Sequence, residues 1–140
     1  MKTPKLYFCD TGLVLFLLGF ESWQAVARHP VVGQIWENHV VMEVIRHYAS
    51  QGYVKPLWFW RTAQDEEVDL LVEEGGRFIA IEAKFAEHPA PASPRGMTAL
   101  SRFYGPDSLT KRLVACRAPN PYPLGEEATA IPGSAVGEWL

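Results

Sequence analysis

Apolar and polar positions are patterned most tightly along residues 67–84, EVDLLVEEGGRFIAIEAK, where two strand-like runs flank Gly75 and Gly76. Adjacent glycines supply the positive φ angles of a two-residue hairpin turn. The stretch therefore predicts a hairpin pairing Glu74 with Arg77, Leu71 with Ala80, Asp69 with Glu82 and Glu67 with Lys84. A period of two sends Asp69, Glu82 and Lys84 to one face, which also carries Leu71, Ala80 and Phe78. Residues 33–50, GQIWENHVVMEVIRHYAS, follow the helical period instead and are closed by Gly52. On a helix, Val44 and Tyr48 fall within about 20° of Glu37 and Val41 about 40° away, so Glu37 sits at the centre of the apolar face. His39, Glu43 and Arg46 fall on the outer face.

The remaining elements are shorter. Residues 5–9 alternate as a brief strand, and Asp10 caps a helix over 11–18 that is apolar nearly all round and ends at Gly19. Residues 21–30 read as irregular. Residues 57–61, LWFWR, predict a strand covered on both faces, and 97–104 a short helix with Leu100 and Phe103 or Tyr104 inward, stopped by Gly105-Pro106. Residues 111–117 give a further strand, and 128–131 a short run before a terminal turn. Proline-rich loops occupy 88–94 and 119–123. The expected organisation is one domain: an N-terminal strand and helix extension over 1–30, a core over 31–118 and a C-terminal extension over 119–140. A Met1 start just ahead of the apolar helix raises the expectation that something once preceded it.

Composition narrows the class. A chain of 140 residues with 48% hydrophobic content can bury one core without staples. The net charge of -3 excludes a broadly basic nucleic-acid binder, while leaving room for a local basic groove. Cys9 and Cys116 each stand alone in an apolar run, which predicts two buried thiols and a reduced, cytoplasmic setting. Residues 13–20 are too short to span a bilayer and lack a cleavage pattern, so neither export nor a membrane anchor is expected. The four histidines, at 29, 39, 47 and 88, follow no ligand spacing.

Like charges opposed across a hairpin destabilise it unless neutralised. Asp69 beside Glu82 therefore calls for a cation, and a hard divalent ion such as Mg²⁺ takes one or two protein carboxylates and keeps the rest of its shell for water and phosphate. The plain alternative is a solvated acidic hairpin. A carboxylate on an apolar helix face must likewise be neutralised, hydrogen-bonded or metal-bound, so Glu37 is either a third member of this group or a structural ion pair with Lys84 or an arginine.

Helix, three strands, helix, strand, with Glu37 on the first helix, Asp69 on the second strand and Glu82-Ala83-Lys84 on the third, resembles the PD-(D/E)xK nuclease superfamily, although Val68 stands where the proline of the name would be. More narrowly, KLYFCDTGL at 5–13, GQIWENHVVMEVI at 33–45, FWRTAQDEEVDLLVE at 59–73 and IAIEAK at 79–84 look like the domain of unknown function commonly fused behind a prokaryotic AAA-type ATPase module. The resemblance implies an α/β, restriction-endonuclease-like core with an N-terminal helical extension. It also implies Mg²⁺ or Mn²⁺ held by Glu37, Asp69, Glu82 and the Ala83 carbonyl, with Lys84 orienting or helping to deprotonate the attacking water in phosphodiester hydrolysis of DNA. As a general base, Lys84 would need a lowered pKa. Arg61, Arg95, Arg102, Lys111 and Arg112 are candidate phosphate contacts, each with an ordinary surface reading beside it. No GxxxxGK[ST] phosphate loop is present, so the implied ATPase module belongs elsewhere in the same chain or in another, and oligomers are possible. The rival reading is a non-catalytic docking module that keeps the acids as a structural network.

Overall fold

Gly75 and Gly76 adopt φ of 59° and 79°, the left-handed pair that a tight hairpin turn requires, and they join β2 (Glu67–Glu74) to β3 (Arg77–Ala83) in a computed structural model that describes residues 4–140. Met1 and the pattern read from it lie outside the described residues. Ahead of the hairpin come α1 (Thr11–Leu17), α2 (Trp23–Arg28), α3 (Val32–Ser50) and β1 (Leu57–Arg61); after it come α4 (Arg95–Tyr104), β4 (Leu109–Cys116), β5 (Tyr122–Leu124) and β6 (Ala128–Pro132), with 3₁₀ turns at Pro106–Ser108 and Gly133–Trp139. The strands form one mixed six-stranded sheet in the order β1-β2-β3-β4-β6-β5. β3 and β4 run parallel, joined by a crossover through α4, and β4 and β6 are parallel as well. The fold is mixed α/β.

Helices cover both faces of the sheet. Val40, Val41, Val44 and Tyr48 of α3 pack on Leu70, Val72, Ile79 and Ile81, joined by Leu113, Ile131 and Val136. On the opposite face Met97, Ala99 and Leu100 of α4 pack on Trp60, Val68, Leu71 and Ala80. Residues 119–140 supply β5 and β6 to the same sheet, and Trp36 of α3 donates its indole N–H to the Ala115 carbonyl at 3.0 Å. Among the described residues no helix is long and apolar enough to cross a membrane.

Several local expectations change for physical reasons. Asp10 caps α1 through the Leu13 N–H at 2.9 Å as expected, yet residues 5–9 form no strand: the backbone N–H and carbonyl of Phe8 bond the side chain of Asn38 on α3. Residues 23–28 are helical, capped by Ser22, where irregular chain was expected. Trp58 is 55% exposed because β1 is the sheet edge. Phe103 and Tyr104, at the end of α4, both face solvent, leaving Leu100 as the buried anchor. Cys116 is buried, but Cys9 is exposed.

Two devices shape the β2 end that faces α4. Trp58 pairs with Leu71 and Trp60 with Val68, so Phe59 faces two residues, Asp69 and Leu70. This β-bulge re-aims the side chains it contains. Gly96, buried on α4, lies against β2 so closely that a Cβ there would stand 1.8 Å from the Glu67 carbonyl oxygen. Gly96→Ala must push helix from strand, and urea denaturation is expected to show a loss of about 1–3 kcal/mol, whereas Gly33→Ala, where a Cβ meets open space, is expected to be neutral or mildly stabilising.

Candidate functional site

The hairpin pairing matches the sequence expectation from Glu74–Arg77 through Leu71–Ala80 to Leu70–Ile81. Beyond Leu70 the expected Asp69–Glu82 and Glu67–Lys84 pairs are not in the ladder, which gives way to a side chain: the Ala83 N–H donates to Asp69 Oδ2 at 2.9 Å. Asp69 and Glu82 are both buried, and together with Glu67, Lys84, Arg95 and Gly96 they line a cleft of about 380 Å³ between the strand ends and the start of α4.

Lys84 donates to Glu82 Oε1 at 3.0 Å. The other oxygen, Glu82 Oε2, is buried with no hydrogen-bond partner, although Glu82 is only 6% exposed. Burial, followed by the charge of Asp69, pushes the Glu82 carboxyl up to about 7 against the pull of Lys84. Asp69 is also raised, by burial first and then by Glu37, against the opposing Ala83 N–H. Burial lowers the Lys84 ammonium, but the charge and hydrogen bond of Glu82, with Asp69 behind them, outweigh it and hold Lys84 above its ordinary value. In this metal-free arrangement the shift runs opposite to the lowering that a general base needs.

Glu37 reaches the same region from α3, held by residues whose roles the sequence did not reveal. Its Oε1 accepts from Lys5 Nζ at 2.9 Å and from the Tyr7 hydroxyl at 2.6 Å. Lys5 Nζ also lies 3.5 Å from Asp69 Oδ1 and is paired with Glu67. One ammonium thus bridges Glu37, Glu67 and Asp69. Its hydrogen bonds to Glu67 and Glu37 and the charges of Asp69 and Glu37 overcome the lowering effect of burial and hold Lys5 above the usual lysine range. Asn38, one residue along α3 and buried, accepts from the Phe8 N–H at 2.8 Å and donates to the Phe8 carbonyl at 3.0 Å. It pins residues 5–9 so that Lys5 and Tyr7 point inward while Leu6 and Phe8 are turned outward and largely exposed. The alternation K-L-Y-F carried a signal for this; the partner did not, since Asn38 lies 30 residues away.

The structure therefore brings Asp69, Glu82, Ala83 and Lys84 together at one cleft and joins Glu37 to Asp69 through Lys5. Among the described residues no three His, Cys, Asp or Glu side chains are arranged as a ready metal cage. Of the candidate phosphate contacts, Arg95 lines the cleft. Arg61 pairs with Asp65 and Glu67, Lys111 donates to the Trp139 carbonyl at 2.6 Å, and Arg112 donates to Ser101 Oγ at 3.0 Å.

A family model described as a domain of unknown function, DUF4143, matches residues 32–136, most of the chain and all of the acids above. The chain belongs to the DUF4143 family. Two mycobacterial relatives, the uncharacterized protein Rv2008c of Mycobacterium tuberculosis and the uncharacterized protein Mb2031c of Mycobacterium bovis, are each 32% identical over 136 residues, covering 96% of this chain and 29% of their own. This DUF4143 chain thus spans less than a third of the length of the curated relatives it matches. No solved structure matches it.

A carboxyl whose folded pKa is raised binds its proton more tightly in the native state, so its stabilising effect is complete below the unfolded value near 4.5 and is lost as pH rises through about 7. Glu82→Gln removes that slope. In metal-free buffer at pH 8 the variant is expected to be more stable than wild type by on the order of 1–3 kcal/mol, and at pH 4 indistinguishable, as read by denaturant titration at both pH values.

Proposed function

We propose that this DUF4143 domain is a metal-dependent, nuclease-like module of the PD-(D/E)xK type that acts on phosphodiesters of DNA, accessory to an AAA-type ATPase module. The observation that carries the reading is Glu82 Oε2, a buried carboxylate oxygen without a partner beside a second buried carboxylate. Such an oxygen is costly in a dry site and fits a missing cation. The sequence order of the acids, and the meeting of Asp69 and Glu82 at one cleft beside Lys84, support the same reading.

Asp69 and Glu82 are the residues that would hold Mg²⁺ or Mn²⁺, with the Ala83 carbonyl as a further oxygen implied by the resemblance. Glu37 would join them on release from Lys5 and Tyr7. Bound there, a divalent cation supplies Lewis-acid polarisation of a phosphodiester. Lys84, whose ammonium lies 3.0 Å from Glu82 Oε1, would offset negative charge on the phosphate and orient the attacking water. Because Asp69 and Glu82 are buried, water screens them weakly and each of these interactions is strengthened.

A second reading has its own observation. Lys5 already neutralises Glu37, Glu67 and Asp69, so the acids also make sense as a structural ion network in a non-catalytic docking module. Thermal unfolding with Mn²⁺ separates the two. Under the nuclease reading, a hundredfold excess over Kd raises the wild-type Tm by on the order of 10 °C, and Asp69→Ala and Glu82→Ala abolish the rise. Lys5→Ala removes a competing ammonium and tightens Mn²⁺ binding roughly tenfold. Under the network reading, Mn²⁺ does nothing and Lys5→Ala only lowers Tm. Cleavage of plasmid and oligonucleotide DNA that is lost in Lys84→Ala and Glu82→Ala then establishes the chemistry; equal cleavage by wild type and both variants would reject it.

A further inference from the structure

A second concavity lies beside the acidic cleft and is larger, about 540 Å³. Trp60 and Ala99 lie at its buried side; Arg61, Thr62, Arg102, Phe103 and Tyr104 are among the residues around it. Its volume suits a small planar ligand with its attached sugar. Phe103 and Tyr104 are 74% and 58% exposed, and their rings contact each other edge to face with centroids 4.9 Å apart. Adjacent exposed aromatic rings at a helix end do nothing for the core, which α4 reaches through Met97, Ala99 and Leu100.

Helix α4 connects this concavity to the acidic cleft. Arg95 and Gly96 at its start line the cleft, and Ala99, Arg102, Phe103 and Tyr104 line the concavity, about 10 Å further along the axis at 1.5 Å per residue. Arg95, Thr98 and Arg102 recur at helical spacing and are all exposed. In a chain of net charge -3, residues 88–106 contain no Asp or Glu. The ridge between the two sites is therefore positive, while Glu66 on the strand side lines the concavity and Asp65 and Glu67 line the cleft. A polyanion is drawn to the helix side, and its flat faces find the rings.

We propose that the concavity at the end of α4 is a stacking subsite for an unpaired nucleobase, with Arg102 and Arg95 contacting the backbone phosphates of a single strand that continues toward Asp69 and Glu82. Exposed rings accept a base only when it is free of its complement, and stacking is tolerant of base identity. A paired duplex keeps its bases stacked internally and offers the rings nothing. This inference deepens the nuclease reading by naming single-stranded nucleic acid as the substrate class. It rests on that reading for the role of the cleft, although the subsite itself stands on α4.

The test is fluorescence anisotropy with a labelled fifteen-residue oligothymidylate in EDTA, compared with a duplex of equal length and an abasic strand, while the Mn²⁺ melting experiment is run in parallel. The proposal expects the oligothymidylate to bind at least tenfold more tightly than the duplex or the abasic strand. Phe103→Ala/Tyr104→Ala should lose at least tenfold with Tm unchanged, and Arg102→Ala should weaken binding and reduce its salt dependence. Equal affinity of the double aromatic variant and wild type, equal affinity for the abasic strand, or no binding by wild type would each overturn it. If the Mn²⁺ response survives any of these, the metal centre stands without the subsite. Ring-dependent binding without an Mn²⁺ response would support the subsite and remove the metal reading alone.

Discussion

Two carboxylates are buried side by side where an otherwise apolar sheet ends, and the surroundings of Asp69 and Glu82 follow from how that charge is tolerated. Exposed pairs elsewhere, such as Arg46 with Glu43, contribute little because water screens them. At the cleft that screening is weak, so each neighbour has a defined electrostatic task. The Ala83 N–H leaves the strand ladder to satisfy Asp69, Lys84 lies against one oxygen of Glu82, and Lys5 crosses from the N-terminal segment to bridge three acids. One oxygen is still left over. A sheet packed on both faces by α3 and α4 is rigid enough to hold such an arrangement, and the bulge opposite Phe59 turns Asp69 toward it.

What the sequence made legible was local. Tandem glycines flanked by alternating residues fix a hairpin and its register, so Asp69 could be placed near Glu82 by counting alone. The long periodic helix ended within a residue of its expected bounds and carried Glu37 toward the site. β1 was found as well, because an aromatic-rich run, with Trp58, Phe59 and Trp60 of high strand preference, follows a proline. What stayed hidden was non-local. The exposure of Trp58 depends on β1 being an edge, which depends on the whole strand order. β5 is three residues with a proline in the middle and exists only because β6 is there to pair with it. Residues 5–9 read as a strand by alternation, and their partner turned out to be one amide on a helix. A general-base role asked for a lowered pKa at Lys84, whereas the neighbouring carboxylates outweigh desolvation in the metal-free site, and that balance has no signature in residue spacing.

Close backbone approach is the other determinant of the site's shape. Gly96 lets α4 rest against the Glu67 carbonyl, and Gly133 lets the last 3₁₀ turn rest against Trp36, where a Cβ would lie 2.5 Å from the indole. The first contact sets the width of the cleft between strand ends and helix. The second ties the C-terminal residues to α3, whose Trp36 also reaches β4. The helix that carries Glu37 is thereby braced by both ends of the chain, and residues 119–140 belong to the support of the site.

The side-chain amide of Asn38 serves Phe8 as a neighbouring strand would, taking its N–H and giving to its carbonyl. The backbone tether so formed is a single rung, not a ladder, and the rest of the hold on residues 5–9 comes from side chains: Lys5 on Glu37, Glu67 and Asp69, and Tyr7 on Glu37. None of these is a sheet hydrogen bond, so whatever draws Lys5 and Tyr7 away from the acids releases the segment as well and leaves the sheet intact.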